Sequence, residues 1–431
     1  MAADLYTPAR HGLLKATLWL YLRMGVLTLV QLAVTSLLLD AMGVDDYGLW
    51  TIACSLVMLW SFPSDVAGEV TLRWLSVSRG RGETQARQLS IFYALRRRAR
   101  LIVGFSAVIS VGAGVWWMTC LASVPDEMIT TGCILVAVLT LVMALKSLST
   151  QYVSWLVAAE RWRAYAWLSI AEGVATLVCA AAVCTLSQAD VTYVYVWSLV
   201  AVEGVILLCY RRVSGASRDG KAADVKQTDG AGRYMLWNVV GGLGVIIWLQ
   251  GMTPVMNASH GLGVTAAVAI AMMLLGRIRA FCAGFQRAVV PRLMRLYAAG
   301  ARRDVRKLLS RYSALCFAMA ALLLALLVWM APWWLGLWLD DVPEGCVTMV
   351  RVALAAALLC CIDVPLDAVV MARGSIRAYE LAMGSLLAAA PLAVIIASLC
   401  GATAEDAFVW QLLPLTVALP LRILFALRAT R

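Results

Sequence analysis

The sequence predicts an all-α polytopic membrane protein, and two observations support this fold class. Of the 431 residues, 62% are hydrophobic and only 14% are charged. A soluble domain carries about a quarter charged residues, so this excess of apolar side chains requires a lipid environment. The apolar residues also form continuous runs of about 20, the length that an α-helix needs to cross a bilayer. Helices are expected because backbone polar groups in lipid must be paired within their own segment.

Twelve such runs follow one another along the chain, and we number them spans 1 to 12. An even number of spans places both ends of the chain on the same side of the membrane. The predicted spans are residues 17–39, 47–72, 101–123, 129–156, 166–186, 192–210, 235–256, 263–288, 313–337, 346–370, 380–399 and 407–427.

The charges of the loops predict the orientation of these spans. Lys and Arg concentrate in the loops after spans 2, 6 and 8, whereas the short loops of opposite parity carry acids such as Asp45 and Asp126. Because positively charged loops stay in the cytoplasm, both termini are predicted to be cytoplasmic. These loops account for the net charge of +11, so nucleic acid is not expected as a partner. The basic amphipathic run Leu293–Leu309 is instead expected to lie on anionic membrane lipids.

A polar, Gly-containing stretch divides the spans into two sets of six. Residues 211–234 are predicted to be a cytoplasmic linker between an N-terminal six-helix lobe (1–210) and a C-terminal six-helix lobe (235–431). An internal similarity supports this division. Trp116–Asp126 is a Trp pair, six intervening residues and then Val-Pro-Asp, and Trp333–Glu344 is a Trp pair, seven intervening residues and then Val-Pro-Glu. An interfacial aromatic belt explains the tryptophans but not the shared tail. We therefore expect two pseudo-symmetric copies related by an axis along the membrane normal.

Two segments resemble a known family of membrane proteins. Gly43–Val57 (GVDDYGLWTIACSLV) is similar to the LG-x-x-x-YG-x-(Y/W) opening of span 2 in polysaccharide flippases. Phe285–Tyr312 resembles the connection between spans 8 and 9 in the same proteins, where a proline precedes an amphipathic helix. Both are typical of Wzx-type flippases of the multidrug/oligosaccharidyl-lipid/polysaccharide (MOP) superfamily, to which the MATE transporters also belong.

The resemblance implies a MATE/flippase-like pair of lobes arranged in a V. It also implies a transporter rather than an enzyme, placed in the bacterial cytoplasmic (inner) membrane. Its expected substrate is an undecaprenyl-pyrophosphate-linked oligosaccharide, moved from the cytoplasmic to the periplasmic leaflet for surface polysaccharide synthesis. A polysaccharide polymerase and glycosyltransferases are the further partners that this role suggests. No metal or organic cofactor is expected, and proton or sodium coupling is left open.

Cations within the spans are candidates for binding the pyrophosphate. Arg can hold phosphate oxygens in a bidentate manner inside a low-dielectric cavity. The alternative is that these long side chains extend towards the cytoplasmic interface. Arg277 and Arg279 are two residues apart and cannot both point in one direction from a helix. The predicted substrate-binding cations are Arg23, Lys146, Arg277 and Arg279.

Acids within the spans have three alternative interpretations. They form salt bridges with the cavity cations, or they bind the proton or sodium ion that drives transport, or they are solvated helix ends. Asp65 and Glu69 are four residues apart and share a helix face, as do Asp363 and Asp367. The remaining candidates for ion coupling or salt bridges are Glu172 and Glu203.

Other classes of protein fit the sequence less well. A proton- or sodium-coupled multidrug exporter of the same superfamily is the main alternative, but such exporters usually carry an acid in span 1, where this chain has Arg23 and Gln31. A membrane glycosyltransferase or polymerase would need a sizeable outer loop for its catalytic groups. No Walker A motif occurs, so ATP is not expected to drive transport directly. Gly241, Gly242 and Gly244 are expected to permit close helix packing or a bend.

Overall fold

A computed structural model describes residues 10–185, 188–216, 230–298, 302–373 and 377–430, and every regular element in these ranges is an α-helix. The helices are α1 (Arg10–Gly80), α2 (Gln85–Cys120), α3 (Asp126–Ala158), α4 (Trp162–Val183), α5 (Gln188–Ser214), α6 (Ala231–His260), α7 (Leu262–Ala298), α8 (Arg302–Trp329), α9 (Ala331–Trp338), α10 (Cys346–Arg373), α11 (Arg377–Leu399), α12 (Ala404–Val409) and α13 (Leu412–Thr430).

The lengths and hydropathy of these helices are those of a multi-pass membrane protein. Within the described ranges, nine are long and apolar enough to cross a membrane, or ten if α8 and α9 together form one bent span. The predicted count of twelve spans therefore stays a prediction. One difference arises because spans 1 and 2 are counted together in α1, whose 71 residues comprise two helical segments joined across a kink at Gly43. Gly43 has φ 79° and ψ 171°, a backbone conformation that only glycine adopts without strain.

Span 9 was expected to be continuous over 313–337 but is broken at Met330. The segments on either side, the last part of α8 and all of α9, meet at 72°. Pro332 accounts for the break, because it has no N–H and its ring clashes with a preceding helical carbonyl. Two side chains bind the carbonyl oxygens that are freed. Arg351 Nε donates to Val328 O at 3.2 Å, and Trp334 Nε1 donates to Leu327 O at 2.9 Å.

The chain divides into two compact units. Unit 1 comprises the described residues within Met1–Gly43, Trp60–Trp116 and Thr130–Trp237. Unit 2 comprises those within Val44–Leu59, Trp117–Ile129 and Asn238–Arg431. Residues 217–229 of the predicted linker lie outside the described ranges. The predicted lobes 1–210 and 235–431 stay a prediction.

Helices within unit 2 pack closely where small residues meet. Gly244 of α6 lies against Gly384 of α11, and a Cβ added at Gly244 would overlap the backbone carbonyl of Gly384. This explains the glycine-rich pattern of span 7, since only residues without side chains let two helix backbones approach so closely. Elsewhere in the unit, α10 packs along α7, α8 and α13.

Residues 44–59 and 117–129 are held within unit 2 by specific contacts. The Asn257 side chain at the end of α6 accepts a hydrogen bond from the backbone N–H of Ser123 at 3.2 Å and donates to Thr265 Oγ1 at 3.3 Å. Asn257 is fully buried. Gly48 meets Leu262 with so little space that a Cβ would lie 3.1 Å from its carbonyl oxygen. The loop before α3 and the middle of α1 are therefore part of unit 2.

Candidate functional site

A cluster of three charged side chains lies within unit 1, where α3, α4 and α5 face one another. Lys146 Nζ donates a hydrogen bond to Glu172 Oε1 at 2.6 Å. The same ammonium lies 3.6 Å from Glu203 Oε1. Two carboxylates and one ammonium leave a formal charge of −1 when all three are ionised. We call Lys146, Glu172 and Glu203 the lysine cluster.

The burial of the lysine cluster increases from Lys146 to Glu203. The side chain of Lys146 is 50% exposed, that of Glu172 is 17% exposed and that of Glu203 is 8% exposed. Glu203 Oε2 is buried and has no hydrogen-bond partner among the described residues. A buried oxygen without a partner costs about 1–3 kcal/mol. Binding of one proton or one monovalent cation at Glu203 would therefore offset both the missing hydrogen bond and the excess negative charge.

Polar contacts extend from the lysine cluster along one face of α4. Tyr165, Ser169 and Glu172 are spaced four and three residues apart, so they share that face. Ser169 Oγ and Tyr210 OH of α5 form a hydrogen bond of 3.1 Å. The Arg23 guanidinium of α1 stacks over the Tyr165 ring, 4.5 Å from its centroid.

Arg23 has no carboxylate partner among the residues that the structure describes. It is half-buried and forms no salt bridge with a residue that the structure describes. Its Nε atom is buried and lacks a hydrogen-bond partner in the same part of the chain. An aromatic ring attracts and orients a cation without neutralising it. Arg23 therefore has an unsatisfied donor and no ion-pair partner in the described part of the chain, which suits an anionic ligand.

Asp65, Glu69 and Arg73 form an exposed polar stripe on the second part of α1. They are spaced four residues apart and share a face, and Asp65 is within electrostatic reach of both Lys146 and Glu69. Many other exposed positions of unit 1, in the apolar parts of its helices, carry large apolar side chains. These include Leu101, Phe105, Val108, Trp167, Val178, Trp197, Val205 and Leu208.

The contrast between these surfaces indicates which face of unit 1 is suited to contact with water. A charged side chain against acyl chains costs several kcal/mol, so charged groups inside the membrane face a hydrated cavity or one another. The apolar positions on α2, α4 and α5 are suited to lipid. The stripe on α1 and the half-exposed Lys146 of α3 are suited to water.

Unit 2 holds a second cation on an aromatic ring. The Arg279 guanidinium of α7 lies 5.2 Å from the ring centroid of Trp248, and its Nη1 atom contacts Cys360 Sγ at 3.5 Å. The fully buried Trp248 in turn donates from Nε1 to Gln411 Oε1 at 3.2 Å. Gln411 therefore positions the tryptophan on which Arg279 rests.

Arg277 differs from Arg279 although both lie on α7. Arg277 is half-buried, and within the described residues it forms no ion pair or hydrogen bond. The two side chains leave the helix on nearly opposite sides, as their spacing predicts. The remaining predicted acids, Asp363 and Asp367, lie on α10, but their side chains are outside the described part of the structure.

Several residues of the site were missed by the sequence analysis. The spacing of Tyr165 and Ser169 relative to Glu172 could have indicated a polar face on α4. Trp248 and Gln411 lie far apart in the sequence, in different spans, and each resembles an ordinary residue of an apolar run. Their pairing depends on how α6 packs against the C-terminal helices, which no local pattern specifies.

Comparison with solved structures places this arrangement in a known fold. A multidrug resistance MATE family transporter of the MOP superfamily, in an inward-facing conformation, superimposes with a TM-score of 0.72 at 11% identity over 94% of each chain. The lipid II flippase MurJ, in an inward closed conformation, superimposes with a TM-score of 0.67 at 10% identity, over 96% of this chain and 87% of MurJ. A eukaryotic MATE transporter superimposes with a TM-score of 0.58 at 14% identity, over 97% of this chain and 99% of the transporter.

The sequence itself matches no protein-family model and no curated protein. At identities of 10–14%, the likeness to the three solved structures is one of fold. The chain therefore has the MATE- and MurJ-like fold of a multi-pass membrane protein.

Proposed function

We propose that the protein is a membrane transporter of the MOP superfamily that flips a lipid-linked anionic oligosaccharide. Its substrate is an undecaprenyl-pyrophosphate-linked oligosaccharide, and the direction is from the cytoplasmic to the periplasmic leaflet of the bacterial inner membrane. Both termini are cytoplasmic in this proposal. A polymerase that extends the flipped oligosaccharide, and the glycosyltransferases that build it, act with the transporter in surface polysaccharide synthesis.

One observation carries this proposal: guanidinium groups inside the membrane helices are held on aromatic rings instead of carboxylates. Arg23 rests on Tyr165 in unit 1, and Arg279 rests on Trp248 in unit 2. Each side chain is oriented, half-buried and not paired with a carboxylate in the described part of the chain, which suits a guanidinium that binds pyrophosphate oxygens. The hydrated glycan needs a polar route, for which the water-facing stripe of α1 is suited. The likeness to a lipid II flippase supports a lipid-linked substrate.

Lys146 has a different role in this proposal from that of Arg23. Its charge is opposed by two carboxylates, so it has little net attraction for an anion. The lysine cluster instead supplies the site at which a proton or sodium ion is exchanged during transport. Glu203 is the member that takes up the ion, because its second oxygen has no partner in the described structure.

A proton- or sodium-coupled multidrug exporter is the second candidate function. The observation that favours it is the formal charge of −1 on the lysine cluster, which would also attract a cationic drug. Two of the three compared structures are MATE transporters, and one of these is a multidrug resistance protein. The two candidates differ in the sign of the substrate charge, and this difference can be measured directly.

The decisive experiment compares anionic and cationic substrates in proteoliposomes that contain the purified full-length protein. We expect a fluorescent undecaprenyl-pyrophosphate oligosaccharide to change leaflet, and a cationic dye not to be transported. Arg23→Ala should slow flipping about 10- to 100-fold, because a hydrogen bond to a charged group contributes about 1.5–3 kcal/mol. Arg23→Lys should retain part of the activity.

The matched control is Arg97→Ala, which removes an exposed arginine from α2. It should flip the lipid at the unmodified rate. Transport of the dye without the lipid would favour the exporter. Equal flipping rates in Arg23→Ala and Arg97→Ala would show that Arg23 does not bind the substrate.

A further inference from the structure

The first turns of α8 form a basic groove. A cavity of about 450 Å³ has as its described lining residues Arg303, Arg306, Lys307, Ser310 and Arg311. These positions are spaced three and four residues apart, so they lie on one face of the helix. We call this set the α8 groove. It combines four cationic side chains with one hydroxyl group, and all five residues are exposed.

The opposite side of α8 fixes the direction in which the groove faces. Val305 and Leu309 are four residues apart and both are buried. Leu309 belongs to a core cluster with Leu366, Tyr379 and Met383 of α10 and α11. Because these contacts anchor the apolar side of α8 in unit 2, the cations cannot rotate away from the surface to which they point.

The cations of the α8 groove have no carboxylate partners among the described residues. None of the three salt bridges found there involves them, and the neighbouring Asp304 is exposed on α8 without forming one. Like charges three or four residues apart on a helix repel one another. Four such cations around one cavity are therefore disfavoured unless an anion binds between them.

The position of the groove along α8 matches the head-group layer of a membrane. The apolar part of the helix begins just after Ser313. At about 1.5 Å per residue, Arg311 lies about 3 Å and Arg303 about 15 Å beyond that boundary. The head-group region extends about 5–8 Å from the hydrocarbon on each side. Arg311 thus lies at the depth of lipid phosphates, Lys307 lies at the outer edge of the head-group layer, about 9 Å from the boundary, and Arg303 lies about 7 Å outside that layer.

We propose that the α8 groove binds the phosphate of a lipid head group at the cytoplasmic surface. Arg side chains hold phosphate oxygens in pairs and the Ser310 hydroxyl donates a further hydrogen bond. Two sources carry this chemistry, an anionic phospholipid and a polyprenyl pyrophosphate. The second source rests on the proposed function, in which the groove would concentrate the substrate before transport.

Binding to purified full-length protein in a non-ionic detergent tests the proposal. The probes are dihexanoyl phosphatidylglycerol, farnesyl pyrophosphate and inorganic pyrophosphate. The variant Arg306→Gln/Arg311→Gln should weaken binding about 25-fold, since each basic residue near an anionic surface contributes roughly five-fold. The variant with all four cations changed to Gln should bind none of the probes measurably. Both variants should elute as monodisperse protein on size exclusion.

The matched control is Arg97→Gln/Arg100→Gln, which removes two exposed arginines from α2. It should change affinity less than two-fold. Tighter binding of farnesyl pyrophosphate would support the groove and identify a polyprenyl pyrophosphate, whereas tighter binding of phosphatidylglycerol would support it and identify a phospholipid. Equal losses in Arg306→Gln/Arg311→Gln and in the control, or equal affinity of both for every probe, would overturn the proposal. Flipping and binding are measured separately, so either proposal can fail without the other.

Discussion

Replacement of Lys146 by methionine tests whether the lysine cluster stabilises unit 1. The substitution keeps an unbranched side chain but removes the ammonium group that lies against Glu172 and Glu203. Two carboxylates of low exposure would then repel each other without a countercharge. We therefore expect a loss of folding stability in addition to any loss of transport.

The size of this loss follows from the two distances. At an effective dielectric constant of about 20, opposite unit charges at 2.6 Å and 3.6 Å attract by about 6 and about 5 kcal/mol. Desolvation of the carboxylates offsets most of this attraction. The 50% exposure of Lys146 weakens it further through solvent screening. A net destabilisation of about 2–3 kcal/mol remains.

Thermal unfolding in detergent, followed by tryptophan fluorescence, measures this change. One kcal/mol shifts the Tm of a unit of this size by about 2–4 °C, so Lys146→Met should unfold about 5–10 °C lower. The double variant Lys146→Met/Glu203→Gln should recover at least half of that loss, because a single carboxylate no longer faces a second one. Arg97→Met removes an exposed cation from α2 of the same unit and should leave the Tm unchanged. An unchanged Tm in Lys146→Met would refute this reasoning. It would indicate that Lys146 is available to bind an anionic substrate.

Two further predictions test the packing of unit 2 and the orientation of the chain. Gly244→Ala should destabilise the protein by about 1–3 kcal/mol or more, since its Cβ meets a backbone carbonyl and neither helix can move freely. Gly232→Ala on the same helix has open space and should stabilise by up to about 1 kcal/mol, so equal Tm values would contradict the described packing. A membrane-impermeant maleimide applied to the periplasmic side should modify the exposed Cys120 and Cys400 but not the buried Cys346. Modification of Cys120 only after the membrane is opened would indicate an orientation opposite to the one proposed.

Sequence patterns predicted the helical, membrane-spanning character of this chain because that character is local. An apolar run of sufficient length is helical in lipid whatever its neighbours are. The finer course of the chain depends on single residues. Gly43 has non-helical φ and ψ values and joins two helical segments where a longer loop was expected, so spans 1 and 2 meet at a kink of a single residue. Pro332 breaks span 9, and the clash of a proline with the preceding turn could have been used to predict that bend.

The members of the candidate site could be found from sequence, but their partners could not. Lys146, Glu172 and Glu203 each stand out as a charge in an apolar run. Their association requires that particular faces of α3, α4 and α5 meet, which is a property of tertiary packing. The same holds for Arg23, whose ring partner Tyr165 lies in another span. Binding of a pyrophosphate or a coupling ion by these residues stays a prediction.

The Asn257 contact with Ser123 bears on whether this protein can be produced as two fragments. A break introduced in the segment 217–229 would leave residues 44–59 and 117–129 on the N-terminal piece, although both belong to unit 2. The C-terminal piece expressed alone would leave the buried Asn257 amide without its backbone donor and would expose Leu262 where Gly48 normally packs. Complementation by co-expressed pieces would therefore require the N-terminal piece to complete the fold of the other. In an ancestor assembled from two separate chains, these segments would already have had to pack into the partner.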